Sequence, residues 1–142
     1  MAMTKEQRVK NYGEVFTPCW LVNQMLDKLE VYSPDAFTDI NKTYLDPSCG
    51  TGNILVEVIK RKLCYATPEQ ALSTTYGCDI MGDSIITCRT RLIEVIRERT
   101  PITEELVKIV KKNIVHTPLD VYPRGALDYL DMDECDTFQG VP

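Results

Sequence analysis

The sequence predicts an α/β domain that forms one half of a doubly wound parallel sheet. Two observations predict it. Apolar residues switch along the chain between helical spacing and short runs suited to strands. The first of these runs leads into the turn Asp46-Pro-Ser-Cys-Gly-Thr-Gly-Asn53, and the second ends in Asp79. Strand, glycine-rich turn, helix, strand ending in an acid, helix, strand is the order of such a half-sheet. Its crossovers are expected to be right-handed.

Taken in order, residues 18–30 read as a helix. Pro18 suits a first turn and Thr17 an N-cap. Leu21, Val22, Met25, Leu26 and Leu29 repeat on one face, and Ser33-Pro34-Asp35 ends the run. Residues 42–46 form a short strand. After the glycine turn, a helix runs from Asn53 to about Tyr65, with Ile54, Leu55, Val58, Ile59 and Leu63 on one side. Thr67-Pro68-Glu69 closes that unit and opens a short helix. Residues 74–80 are the second strand. The long helix from Met81 to about Arg99 buries Ile85, Cys88, Leu92 and Ile96, and Pro101 breaks it. A further helix covers 103–112 and a third strand 113–116. From Pro118 the chain turns acidic and irregular.

At 142 residues the chain is long enough for one domain with a core, and residues 1–142 are read as one, with a flexible segment at 1–12. The apolar runs are too short to span a membrane, and the charged start MAMTKEQRVK has no apolar signal region. A cytoplasmic protein is expected. The six cysteines contain no C-x-x-C pair and His116 is the single histidine, so no metal site is predicted and reduced core thiols are the expectation. The net charge of −5 gives no basic face for nucleic acid. Asp120, Asp128, Asp131, Asp133, Glu134 and Asp136 stand near the C-terminus against Arg124 alone.

The chemistry centres on the glycine turn. Gly50 and Gly52 let the backbone turn sharply and let a ligand approach. The following helix offers free N–H groups. An acid opens the loop and no Lys follows Gly52, so this is not a P-loop. Asp46 suits an ammonium or sulfonium, and Asp79 stands where an acid accepts from ribose hydroxyls. Together they describe an adenosine ligand with a cationic tail. S-adenosylmethionine fits this. NAD fits less well, because its pyrophosphate would face Asp46.

DPSCGTGNIL resembles the cofactor motif of class I methyltransferases, in the form used by N6-adenine DNA methyltransferases of type I and related restriction systems. Tyr76-Gly-Cys-Asp-Ile80 resembles their second motif, and Gly13-Glu-Val-Phe-Thr-Pro18 the segment that folds over the cofactor. The resemblance covers about residues 11–120. It implies a Rossmann-like sheet, here its N-terminal half with a cofactor-covering helix in front. It also implies S-adenosyl-L-methionine as cofactor and DNA as partner. Carried over, Phe16, Thr17 and Pro18 contact the methionine part and one side of the cofactor. Asp46, Cys49, Gly50 and Gly52 line the methionine end. Asp79 holds the ribose, and Ile80 lies against the adenine.

The sequence departs from the family pattern in two places. Pro118 aligns with the Asp expected near the adenine N6, and Asp120 comes two residues late. The Asn/Asp-Pro-Pro-aromatic tetrapeptide that holds the target amine is not found. Cys135-Asp-Thr-Phe-Gln-Gly-Val-Pro142 resembles the approach to it, with Val141 in place of the polar acceptor. No catalytic residue is therefore assigned. The reading is the cofactor-binding portion of an adenine methyltransferase, truncated and inactive alone. One alternative is a cofactor-holding pseudoenzyme whose protein partner completes the sheet. Ranked below it is a small enzyme that degrades S-adenosylmethionine.

Overall fold

The computed structural model describes Thr4 and residues 16–118. It is a mixed α/β fold with a three-stranded parallel sheet, compatible with a methyltransferase-like fold. The elements follow the chain as helix α1 (Cys19–Tyr32), strand β1 (Tyr44–Asp46), helices α2 (Asn53–Lys62) and α3 (Pro68–Ser73), strand β2 (Thr75–Asp79), helices α4 (Gly82–Arg97) and α5 (Glu104–Asn113), and strand β3 (Ile114–His116). The expectations for residues 1–12, 13–15 and the segment after Pro118 fall outside the described residues, Thr4 apart.

The strand order is β1-β2-β3, with Leu45 opposite Tyr76 and Cys78 opposite Val115. Because side chains alternate along a strand, Tyr44, Gly77 and Ile114 share one face and Leu45, Tyr76, Cys78 and Val115 the other. The first face carries the helices. Ile114 packs in the main core with Leu55 and Ile59 of α2, Ile85, Leu92 and Ile96 of α4, and Leu106 and Val110 of α5. Two successive crossovers that turn the same way put their helices on the same side.

Helix α2 lies between two cores, which explains why it is buried on two sides. Leu55, Val56 and Ile59 enter the main cluster, while Val58 joins Val22 and Leu26 of α1 and Phe37 in a second. Each such aliphatic contributes about 1.5–3 kcal/mol on burial. The five apolar positions expected of α1 separate accordingly: Val22 and Leu26 are buried, while Met25 is 46% exposed. Arg61 of α2 ties the helices together. It donates to Glu30 Oε1 at 2.6 Å, Asp27 Oδ1 at 2.8 Å and Asn23 Oδ1 at 3.0 Å.

Local chemistry sets the helix ends. Thr67 and Gln70 form a reciprocal capping box with Pro68 in the first turn of α3. Thr103 Oγ1 accepts from Leu106 N–H at the start of α5, where Glu104 and Glu105 face the positive end of the dipole. The fully buried Arg89 closes the other end of α5, donating from Nε to Ile114 O at 2.8 Å and from Nη2 to Lys111 O at 3.1 Å. The expected Thr17 cap on α1 is corrected. Pro18 is the N-cap residue, and no side chain caps this end. The carbonyl of Thr17 is instead held from α2, as described below.

Candidate functional site

The site forms at the carboxyl ends of β1 and β2. Asp46 ends β1 and Asp79 ends β2, and the strands are adjacent and parallel. The loop between β1 and α2 crosses the top of β2, with Cys49 N–H donating to Cys78 O at 3.0 Å. Gly50 takes a left-handed backbone, φ 54°, and donates its N–H to Asp79 Oδ2 at 2.9 Å. Asp79 Oδ1 accepts from Met81 N–H at 2.8 Å. One carboxylate thus fixes both the glycine loop and the start of α4. Each of its oxygens retains a second lone pair.

Gly50 and Gly52 do different work. Gly52, at φ 93°, is the N-cap of α2, and a Cβ there would lie 2.8 Å from Cys88 Sγ. Its smallness lets the loop seat on α4 rather than admitting a ligand. Gly77 allows a similar approach beneath the loop, since a Cβ on it would stand 2.7 Å from Leu55 Cδ1 and 3.1 Å from Cys49 Cβ. Cys49 is therefore packed into the core. Contact with Cys88 and burial raise its thiol pKa well above the usual value. Burial pushes the Cys78 thiol up to about 11.

Asp46 has a different environment. It is 8% exposed, and among the described residues its carboxylate accepts one hydrogen bond, from Ser48 N–H at 3.1 Å. No cation pairs with it there. Burial raises its pKa above the ordinary carboxylate value, the Ser48 bond lowers it, and the charge of Asp79 raises it further. A buried carboxylate without a cationic partner is costly to the fold. It is also a ready receptor for a positive ligand group.

Phe16 and Thr17 reach this place. They line one small pocket with Asp46, Cys49, Gly50 and Asn53, enclosing about 30 Å³, roughly the room of one water molecule. Asn53 Nδ2 donates to Thr17 O at 2.8 Å. Pro18 stands at the start of α1, its carbonyl accepting from Leu21 and Val22 N–H, and does not line the pocket. Ile80 lies beyond β2 and is 53% exposed, an open apolar surface beside Asp79. Its carbonyl is bonded to His116 Nε2 at 3.0 Å, and Thr117 N–H donates to Asp79 O, so β3 also ends at this edge. Sequence reasoning missed Asn53 and Arg91. Arg91 Nη1 donates to Thr51 O at 2.9 Å and to Asn53 Oδ1 at 2.7 Å.

The model of the N-6 DNA methylase family matches residues 1–118. The chain belongs to this family. No curated protein and no solved structure matches it. Membership supports a role in DNA methylation and implies DNA as the substrate class. N-6 DNA methylases generally use S-adenosylmethionine, and the residues present fit that group. Asp46, without a cationic partner among the described residues, suits its cationic end, and Asp79 offers spare lone pairs beside the exposed Ile80. Among the described residues no cluster of His, Cys, Asp and Glu could hold a metal, and no helix is long and apolar enough to cross a membrane.

Proposed function

We propose that this chain is the S-adenosylmethionine-binding portion of an N6-adenine DNA methyltransferase, with a Rossmann-like sheet. The observation that carries the reading is Asp46, a buried carboxylate at the head of the glycine loop that among the described residues has one amide N–H and no cation as partner. A sulfonium or ammonium placed there offsets the cost of its burial. Asp79 accepts from the ribose hydroxyls on its free lone pairs, and Ile80 supports the adenine ring. Phe16 and Thr17 cover the methionine end, with the Gly50 backbone beneath it, while Cys49 and Gly52 seat the loop on the core and on α4 and Pro18 fixes the start of α1. The family supplies DNA as the methyl acceptor. A protein partner that completes the sheet belongs to the same proposal.

The chain's residues bind and orient; the cofactor, when bound, supplies an activated methyl group. The test is calorimetry of the purified chain with S-adenosylmethionine and S-adenosylhomocysteine. Saturable binding is expected, and Asp79→Ala should weaken it by about 1.5–3 kcal/mol, the range for hydrogen bonds to a charged group. A folded wild-type chain that binds neither ligand would sink the proposal.

A further inference from the structure

We infer that Arg91 and Asn53 form a latch that positions the Phe16–Thr17 segment over the glycine loop, and so set how firmly the cofactor is held. The inference rests on the cofactor site proposed above and adds two residues to it. Neither lines its chemistry through charge: Arg91 is a positioning residue that acts through Asn53.

The geometry is a relay of three hydrogen bonds across three elements. From α4, Arg91 Nη1 donates to Thr51 O at 2.9 Å and to Asn53 Oδ1 at 2.7 Å. Asn53, the first residue of α2, then donates from Nδ2 to Thr17 O at 2.8 Å. An amide is needed at 53, since one end must accept from a guanidinium while the other donates to a carbonyl. The Arg91 bond also fixes which end of the amide faces which partner. Pro18 provides no side-chain cap for α1, so this outside donor holds the backbone just ahead of the helix. The pocket that Phe16, Thr17 and Asn53 line has room for about 30 Å³, roughly one water molecule, so the placing of this segment decides whether a ligand tail enters.

Asn53→Asp separates this role from simple stability. The near-isosteric carboxylate still accepts from Arg91, so the tie between α4 and the loop survives. The donor to Thr17 O is lost and two acceptors face each other. Trp20, the single tryptophan of the chain, lies three residues after Thr17 and is 65% exposed. Its fluorescence anisotropy reports the segment without any ligand. In Asn53→Asp, anisotropy should fall, the melting temperature should stay near the wild-type value, and S-adenosylhomocysteine should bind about tenfold more weakly, the equivalent of one lost hydrogen bond. Arg91→Lys, which keeps one donor, should fall between wild type and Arg91→Met in both readouts. If wild type binds no S-adenosylhomocysteine, the cofactor reading fails while Trp20 still reads the latch. The latch itself is overturned if Asn53→Asp leaves both anisotropy and affinity at wild-type values. Should that variant melt early, equal affinity and anisotropy in wild type, Arg91→Lys and Arg91→Met overturn it instead.

Discussion

Asp46, a carboxylate that is 8% exposed and has a single amide N–H as partner among the described residues, costs the fold free energy whenever it is ionised. Asp46→Asn removes that charge and keeps an oxygen for Ser48 N–H. Because the folded-state pKa of Asp46 is raised, chiefly by burial, the folded chain holds its proton to higher pH than the unfolded chain. Stability contributed by the protonated form is therefore lost as pH rises through the folded pKa. At pH 7 the variant should melt above wild type, and the gain should vanish below the unfolded carboxylate range, where both are neutral. Cofactor affinity should fall by about 1.5–3 kcal/mol. A variant that melts lower at pH 7, or binds as well as wild type, contradicts this account. At this scale the sequence revealed the acids and the glycine turn, because strand ends and glycines carry their roles locally. It could not distinguish Gly50, which bonds Asp79, from Gly52, which seats against Cys88. Nor could it pair Thr17, Asn53 and Arg91, whose contacts exist only once three elements have packed.

Between elements, α2 is held to the sheet by Lys62, which is 3% exposed. Its Nζ donates to Thr74 O at 2.9 Å, Thr74 Oγ1 at 2.8 Å and Thr75 Oγ1 at 3.0 Å. Burial lowers its pKa to about 8, from 10.5. Between those values the unfolded chain carries a proton that the folded chain has released, so this group adds stability as pH rises. Below pH 8 it contributes only its hydrogen bonds, set against the cost of a buried ammonium. The buried thiol of Cys78, raised from 9 to about 11, acts in the opposite sense over an overlapping range. Comparing wild type with Lys62→Met isolates the lysine. Urea melts should show the variant less stable by about 1–3 kcal/mol at pH 7, with a deficit that grows toward pH 10. A deficit that is flat or shrinks with pH contradicts the assignment. The helices themselves were legible as elements, since Thr67, Pro68 and Thr103 mark their starts and apolar spacing marks their faces. The two-sided burial of α2 was not, because one apolar stripe cannot say that a second helix waits on its far side.

For the molecule as a whole, one sheet face carries α2, α4 and α5, while Leu45, Tyr76, Cys78 and Val115 on the other face join neither core cluster of described residues. Strand β1 pairs with β2 alone among those residues. The helix–strand order predicted a parallel sheet but not that one face would carry these helices, since no periodicity within a strand states what meets its far face. The same asymmetry bears on chemistry. Methyl transfer to an exocyclic amine needs more than a held cofactor, because only interactions made in the transition state accelerate the step. The target base must leave the stack, and its amine must be oriented and hydrogen-bonded within reach of the methyl. The sequence contains no Pro-Pro, and the family resemblance aligns Val141 with the polar acceptor and Pro118 with the acid near N6. In the proposed site Asp46 and Asp79 serve the cofactor, and Asp79 is already engaged with Gly50 and Met81. A misplacement of about 1 Å can cost a hundredfold in rate, so a substitute acid elsewhere does not restore the step. A polypeptide of these 142 residues should therefore bind S-adenosylmethionine without methylating DNA. The measurement is tritiated-methyl transfer to unmethylated DNA of mixed sequence, run beside calorimetry on the same preparation. Incorporation well above a protein-free control, and abolished by Asp46→Asn, would mean that an amine-orienting group has been overlooked in this chain.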